Sequence, residues 1–128
     1  MARRLISSGG PWEARFGYSR AVALGDEAFV SGTTDAGPDG RSRHPGDAAA
    51  QARAVFEIIG RALGEAGLSL ADVVRTRMFV TDLADITPVT TVHGEVFRDI
   101  RPAATVVVVA ALIDPTLLVE IEVDARRS

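Results

Sequence analysis

The chain has 128 residues, 47% of them hydrophobic, a formal net charge of −3 at pH 7 and no cysteine, and all fourteen basic residues are arginine. This size predicts a single domain over residues 1–128 with a substantial core. The missing cysteines and lysines exclude disulfides, thiolate metal sites and Schiff-base catalysis.

Several classes of partner are disfavoured by the same composition. His44 and His93 lie far apart and match no metal-ligand spacing, so we expect no metal and no other cofactor. The arginines are scattered and the net charge is negative, so we expect no nucleic-acid partner. No apolar run approaches the roughly 18 residues of a membrane helix, and the N-terminus lacks the apolar centre of a signal peptide. We therefore expect a cytoplasmic protein with no membrane contact.

The first half of the chain predicts a hairpin and a helix. Residues 16–24 and 27–31 are short apolar runs joined by Gly25-Asp26, with Leu5-Ile6 as a possible added edge strand. Residues 32–46 are rich in Thr, Asp, Gly, Pro and Arg and predict a loop. Asp47 is placed to cap a helix that continues to Ala66 and ends at Gly67.

The second half predicts three strands and another helix. Residues 72–80 form a strand, and a helix follows that begins between Asp82 and Pro88, with Thr87-Pro88 as a plausible cap and first residue. Strands over 103–111 and 118–124 complete the order β-β-α-β-α-β-β, which predicts an α+β sheet with two helices on one face. The strand 103–111 is apolar on both faces, and its valines on the side away from the helices predict an interface and an oligomer.

Strand alternation assigns side chains to faces. On the strand 72–80 we expect Val74, Thr76, Met78 and Val80 to face the helices and Val73, Arg75, Arg77 and Phe79 to face away. On the last strand Glu120, Glu122 and Asp124 share the face of the arginines. Two interpretations stay open. In one these charges form a ladder of ion pairs; in the other Arg77 binds an anionic ligand and Glu120 acts as general acid and base.

Four segments follow one another in a distinctive order: Gly17-Tyr18-Ser19 with Ala21-Val22, then Phe29–Gly32, Asp72–Asp82 and Phe97–Glu122. Together they resemble the YjgF/RidA family of reactive intermediate deaminases, also called endoribonuclease L-PSP. The resemblance implies one YjgF/RidA-like domain with a chorismate-mutase-like fold: a six-stranded mixed sheet, two helices on one face, and a homotrimer with pockets between subunits.

The resemblance also implies a site. It places Tyr18, Ser31, Gly32 and Thr105 in substrate binding and Glu120 in catalysis. The chain departs from the family at several positions: Ala104 stands where an arginine grips the substrate carboxylate, Val106 where a cysteine is common, Thr90 where an asparagine is common and His93 where a tyrosine is common. The chain therefore resembles an arginine-less branch.

Family members with the arginine hydrolyse 2-imino or 2-enamino acids to 2-oxo acids and ammonia. For this chain we expect a hydrolase or deaminase acting on a small, anionic imine, enamine or related compound at an inter-subunit pocket. Because of Ala104, 2-imino acid deamination itself should be weak or absent. The alternative is a non-catalytic ligand-binding or chaperone-like trimer, and an endoribonuclease is a distant third. His93 is either a surface residue or a pocket lining, and Trp12, Arg15 and Phe16 either form an aromatic rim or pin the N-terminus.

Overall fold

The computed structural model describes residues 2–128 and contains one mixed sheet with three helices. The strands are β1 (Arg3–Ile6), β2 (Ala21–Leu24), β3 (Glu27–Thr33), β4 (Val73–Val80), β5 (Ala103–Val108) and β6 (Val119–Arg126). The helices are α1 (Pro11–Phe16), α2 (Ala48–Glu65) and α3 (Ile86–Val96), and short 3-10 turns cover Leu70–Asp72 and Leu83–Asp85.

The six strands lie in the order β1-β2-β3-β6-β4-β5. All neighbouring pairs are antiparallel except β4 and β5, which are parallel and are joined through α3. The last strand in sequence, β6, therefore lies in the middle of the sheet, between the hairpin of the first half and the strands of the second. This position brings its alternating carboxylates next to residues from both halves of the chain.

Helices α2 and α3 cover one face of the sheet, which we call the helix face. The predicted start and end of α2 are confirmed: the Asp47 carboxylate accepts a hydrogen bond from the Ala50 N–H at 3.0 Å, and Gly67, just after the helix, has a φ of 81°. The apolar stripe of α2 packs on the buried residues of the sheet, and Ile59 and Leu63 are fully buried. The other face, which we call the open face, carries no helix α2 or α3.

Two helix boundaries differ from the sequence-based expectation. Residues Pro11–Phe16 form the helix α1, which was not expected, and Phe16, expected to begin the first apolar run of the hairpin, is its last residue. Pro11 is suited to a first helical turn, and Gly17 ends the helix with a φ of 75°. The first strand of the hairpin thus begins at Ala21. The helix α3 begins at Ile86, within the expected range from Asp82 to Pro88, but Thr87 does not cap it. Pro88 lies within the first turn, where a missing N–H costs little.

The face assignment on β4 is confirmed for most of the strand and wrong at its start. Thr76, Met78 and Val80 are buried on the helix face, as expected. The pairing with β6 shifts between Val73 and Arg75, and this irregularity buries Val73 while leaving Val74 50% exposed. A local bulge reverses the alternation of side chains between the two faces. An assignment that assumes strict alternation along the whole strand therefore puts these first two residues on the wrong faces.

The added edge strand at Leu5-Ile6 is confirmed as β1, at one edge of the sheet. Strand β5 forms the other edge and ends at Val108 rather than at residue 111. We expected it to be covered on both faces, but in the single chain Val107 and Val108 are 42% and 46% exposed. Only Val106 packs against the core.

Candidate functional site

The strand register assembles polar and charged side chains on the open face. Arg77 on β4 pairs with Glu122 on β6 and with Thr105 on β5. One pair further along, Phe79 lies between Glu120 and Val107. Directly paired residues point to the same face of a sheet, so β4, β5 and β6 bring Arg77, Thr105 and Glu120 to one surface.

Glu120 lies against Gly32 of the neighbouring strand β3. The register between β3 and β6 shifts between Val30 and Thr33, which places Gly32 at an irregularity beside the glutamate. A Cβ atom at Gly32 would overlap the Glu120 carboxylate, so only glycine leaves room for that side chain in its present position. Glycine at this position therefore permits a close approach of the carboxylate and is not needed for its backbone conformation.

The Glu120 carboxyl group has no ion-pair or hydrogen-bond partner among residues 2–128. Burial raises its pKa; the nearby Arg20 guanidinium acts in the opposite direction, and the neighbouring Glu122 adds to the increase in the pKa. A partly buried carboxyl group with a raised pKa and free oxygens is suited to take a proton from a reactant and to return it.

Arg20 organises the residues around Glu120, although sequence reasoning did not select it. Its guanidinium donates a hydrogen bond to the Gly32 carbonyl at 2.7 Å and lies 5.8 Å from the centre of the Tyr18 ring. The Ser31 hydroxyl donates to the Ser19 carbonyl at 2.6 Å, which ties β3 to the segment before β2. We call Tyr18, Arg20, Gly32 and Glu120 the glutamate patch. In the sequence, the one signal for Arg20 was its position two residues after Tyr18, which suggests that the two side chains lie on the same side of an extended segment.

Arg77 has a different environment. Its Nη1 lies 3.4 Å from a Glu122 oxygen and 3.5 Å from an Asp124 oxygen, and all three side chains are about a third exposed. Arg77 is thus already paired with two carboxylates, as in the ion-pair ladder, while Glu120 is left out of that ladder. The ion-pair interpretation therefore applies to Arg77 with Glu122 and Asp124, and the acid–base interpretation applies to Glu120.

A shallow cleft of about 370 Å³ lies where α3 leads into β5. We call it the arginine cleft; it is lined by His93, Gly94, Phe97, Arg98, Arg101 and Pro102. The His93 Nε2 lies 2.8 Å from the Thr76 hydroxyl, and the ring packs against Phe97 with 4.7 Å between centroids. Burial lowers the pKa of His93, so the imidazole is neutral at pH 7. Of the two expectations for His93, the structure places it in a pocket lining.

Ala104 pairs with Thr76 across β4 and β5, so it lies on the helix face, next to the residue that contacts His93. The position where the resemblance expects a carboxylate-binding arginine is therefore beside the arginine cleft. No residue of the glutamate patch lines that cleft. The resemblance-based site thus falls on two separate surfaces of one chain.

The remaining expected site features are placed as follows. Trp12 and Phe16 stack on α1 with 6.1 Å between ring centroids, and the two residues are 43% and 62% exposed. Within residues 2–128, no group of three or more His, Asp or Glu side chains is arranged to hold a metal ion. In the same part of the chain no helix has the length and apolarity needed to cross a bilayer.

The sheet has six strands of mixed direction, a parallel β4–α3–β5 crossover, and the helices α2 and α3 on one face. This arrangement defines a chorismate-mutase-like α+β protein. The profile of the family described as endoribonuclease L-PSP matches residues 11–127, and the chain belongs to this family, the YjgF/RidA family. Both the family and the fold expected from the sequence are confirmed.

Three similar proteins place the chain within the family. Rv2704 of Mycobacterium tuberculosis, described as a member of the YjgF/YER057c/UK114 family, has 48% identity and a TM-score of 0.89, covering 98% of this chain and 100% of that one. The uncharacterized protein SCO2049 of Streptomyces coelicolor is 40% identical over 126 residues, 98% of this chain and 93% of its own. The 3-aminoacrylate deaminase RutC of Acinetobacter baylyi is 38% identical over 104 residues, 81% of this chain and 82% of its own.

Proposed function

We propose that this protein is a RidA-like hydrolase that converts a small imine or enamine into a carbonyl compound and ammonia, in a pocket between subunits of a homotrimer. The observation that carries the proposal is Glu120. Its carboxyl group is partly buried, lies against Gly32, has a pKa raised by burial and lacks a partner among the described residues. A structural glutamate in a sheet of charges is ordinarily paired, as Glu122 is with Arg77.

The chemistry requires one group that moves protons. The imine nitrogen first takes a proton from solvent. A water oxygen then adds to the C=N carbon while the ionised Glu120 takes a proton from that water, which gives a neutral carbinolamine. Protonated Glu120 returns this proton to the nitrogen, the C–N bond breaks, and the hydroxyl group releases its proton to solvent as the C=O bond forms. Ammonia and a carbonyl compound are the products, and Glu120 is again ionised. An enamine enters the same sequence after a proton adds to its carbon.

The surroundings of Glu120 suit this role. Tyr18 is 40% exposed and can donate a hydrogen bond from its hydroxyl group. The Arg20 guanidinium donates a hydrogen bond to the Gly32 carbonyl, which holds the backbone next to Glu120 in place. On β5, Thr105 contributes a further exposed hydroxyl group on the same face. These groups can position a small polar substrate and a water beside the carboxyl group.

The homotrimer is proposed from the surface of the open face. Leu5, Phe29 and Val107 lie on it and are 65%, 42% and 42% exposed. They surround the charged residues of β4 and β6, so the face combines apolar area with polar groups that need partners. Monomers rarely leave such a surface in water, and burial against copies of the same chain would cover it. The same assembly would enclose Glu120.

The relative named 3-aminoacrylate deaminase supports the substrate class, since 3-aminoacrylate is an enamine. The alternative, a non-catalytic ligand-binding or chaperone-like trimer, is favoured by one observation: Arg77 is paired with Glu122 and Asp124 rather than free to bind an anion. Endoribonuclease activity has less support, because the net charge is −3 and the arginines form no basic stripe.

The decisive experiment measures ammonia release from imines and enamines generated in situ by amino-acid oxidases and lyases. We expect turnover by the wild-type protein and a large loss of turnover in Glu120→Gln. Glu57→Gln removes an exposed carboxylate on α2 and serves as the matched control, with activity equal to wild type. Absence of turnover across the substrate panel, with ligand binding retained, would favour the non-catalytic alternative.

A further inference from the structure

We propose that Arg20 is a positioning residue for Glu120: its guanidinium group holds the carboxylate in its ionised form and fixes the backbone against which that carboxylate lies. This inference rests on the proposed function, because it explains how Glu120 can act as a base in a partly buried site. Arg20 is the one residue of the glutamate patch to which neither strand alternation nor the family resemblance assigned a role.

Hydrogen bonds fix Arg20 to the strand that lies beside Glu120. The Ser31 N–H donates to the Arg20 carbonyl at 2.9 Å, and the Arg20 Nη2 donates to the Gly32 carbonyl at 2.7 Å. The Glu120 carboxylate in turn lies directly against Gly32. Both the backbone and the side chain of Arg20 are therefore bonded to the part of β3 that Glu120 contacts, so the guanidinium cannot move far from the carboxylate without breaking one of these bonds.

The guanidinium lies near Glu120 without forming an ion pair with it. Within residues 2–128, no nitrogen of Arg20 is paired with a Glu120 oxygen. Arg77, by contrast, contacts Glu122 and Asp124 at 3.4 and 3.5 Å. A direct pair of that kind would occupy the oxygens of a catalytic carboxylate. A charge at slightly longer range stabilises the carboxylate and leaves its oxygens free for a water molecule.

The environment of the Arg20 guanidinium strengthens its effect on neighbouring charges. The group lies 5.8 Å from the centre of the Tyr18 ring, and its Nε is buried and has no hydrogen-bond partner in the described part of the chain. A charge that is partly removed from water is screened less than an exposed one. Burying a donor without an acceptor costs free energy, and a side chain needed only for the bond to Gly32 could be uncharged. The retained charge therefore favours an electrostatic role.

Arg20 supplies a positive charge that opposes the protonation of Glu120. Burial raises the pKa of the Glu120 carboxyl group, Arg20 lowers this pKa, and Glu122 raises it. Gly32 and Phe79, which flank Glu120 on the two neighbouring strands, are uncharged. An arginine stays charged across the pH range of an enzyme assay, so its effect is constant. Without this charge the carboxyl group would keep its proton to a higher pH, and a smaller fraction of it would be available as a base.

The test measures the ionisation of Glu120 directly, in the full-length protein and without substrate. Protein labelled at the side-chain carboxyl carbon of glutamate is titrated by NMR, and the signal that is missing in Glu120→Gln is assigned to Glu120. Arg20→Gln removes the positive charge and should move the midpoint of this titration to higher pH. Arg20→Lys keeps the charge and should bring the midpoint back towards the wild-type value. The matched control is Arg75→Gln, which removes an exposed arginine on the same face, beside Asp124, and should leave the midpoint unchanged.

Further variants make each result decisive. Glu122→Gln removes the neighbouring negative charge and should move the midpoint to lower pH, which shows that the measurement detects a nearby charge. An unchanged midpoint in Arg20→Gln would overturn the inference. Equal upward shifts in Arg20→Gln and Arg20→Lys would also overturn it, because the cause would then be the lost hydrogen bond to Gly32. If circular dichroism shows that Arg20→Gln does not fold, Arg20→Met, which keeps an apolar contact with the Tyr18 ring, takes its place.

A pH profile of activity connects the titration to the reaction. For an imine that the wild-type protein hydrolyses, the acid limb of kcat/KM should move to higher pH in Arg20→Gln and return in Arg20→Lys. If Glu120→Gln keeps turnover while Arg20→Gln shifts the NMR midpoint, the catalytic role of Glu120 fails and the electrostatic role of Arg20 stands. If Glu120→Gln abolishes turnover while Arg20→Gln changes neither the midpoint nor the acid limb, the role of Arg20 fails and the hydrolase stands.

Discussion

Replacing Glu120 by glutamine tests the catalytic proposal most directly, because it exchanges one carboxyl oxygen for an NH2 group, removes the acid–base function and changes almost no volume. The amide fits the space beside Gly32 that the carboxyl group occupies. It cannot take a proton from water or return one to the leaving nitrogen. General acid–base catalysis contributes about 100- to 10,000-fold to a rate, so kcat/KM should fall by that factor. This corresponds to roughly 2.7–5.4 kcal/mol of lost transition-state stabilisation.

The same variant should keep the fold. Glu120 has no ion pair to lose among residues 2–128, and burial raises the pKa of its carboxyl group above the ordinary value. The folded state therefore holds the Glu120 proton more tightly than the unfolded state does. This contribution to stability is present at low pH and is lost as the pH rises through the folded pKa. At pH 7.5, where glutamine carries no charge to bury, the free energy of unfolding should equal or exceed the wild-type value, within about 1 kcal/mol.

The assay pairs kinetics with stability. Ammonia release gives kcat/KM for both proteins, and urea denaturation followed by circular dichroism gives the free energy of unfolding at pH 7.5 and pH 5. Wild-type activity should fall on acidification at a pH above the usual range for a glutamate, because the raised pKa moves protonation of the base upward. A loss of several kcal/mol of stability in Glu120→Gln, or a kcat/KM within tenfold of wild type, would refute the reasoning.

Three other predictions concern assembly, packing and pH. Val107→Asp places an unpaired charge on the proposed interface, and sedimentation velocity should show monomers where the wild type is a trimer; a wild-type monomer would contradict the proposal. Gly32→Ala places its new Cβ against the Glu120 carboxylate, which is the end of a flexible side chain and can move aside, so it should cost about 1 kcal/mol or less in urea denaturation, a cost that the additional change Glu120→Ala should reduce. Burial lowers the pKa of His93, so its folded state favours the neutral ring, and the free energy of unfolding should fall as the pH drops below the ordinary value of 6.5. His93→Gln should flatten this pH dependence, and an equally steep dependence would assign it to another group.

Much of the fold could be predicted from the sequence, because its signals are local and repetitive. The stripe of α2 repeats along one helix, and its ends carry an N-cap aspartate and a left-handed glycine. On β6 the strict alternation of carboxylates with Val119, Ile121 and Val123 assigned every side chain to the correct face. A regular period tolerates no other arrangement when one face is buried.

The features that depend on contacts between residues distant in sequence were decided only by the tertiary structure. The reversed faces of Val73 and Val74 follow from a shift in pairing with β6. The short helix α1, between Pro11 and Gly17, was not expected, and it takes Phe16 out of the run that was predicted to begin the hairpin. These irregularities leave no periodic signal in the sequence.

The candidate site depends most strongly on tertiary structure. Sequence parity placed Arg77 and Glu120 on one face, but only the side-chain positions showed that Arg77 is paired with Glu122 and Asp124 while Glu120 lies free beside Gly32. The hydrogen bond from Arg20 to the Gly32 carbonyl likewise could not be read from residue order. A charge's role depends on its distances to other charges, and those distances are set when remote strands and helices pack together.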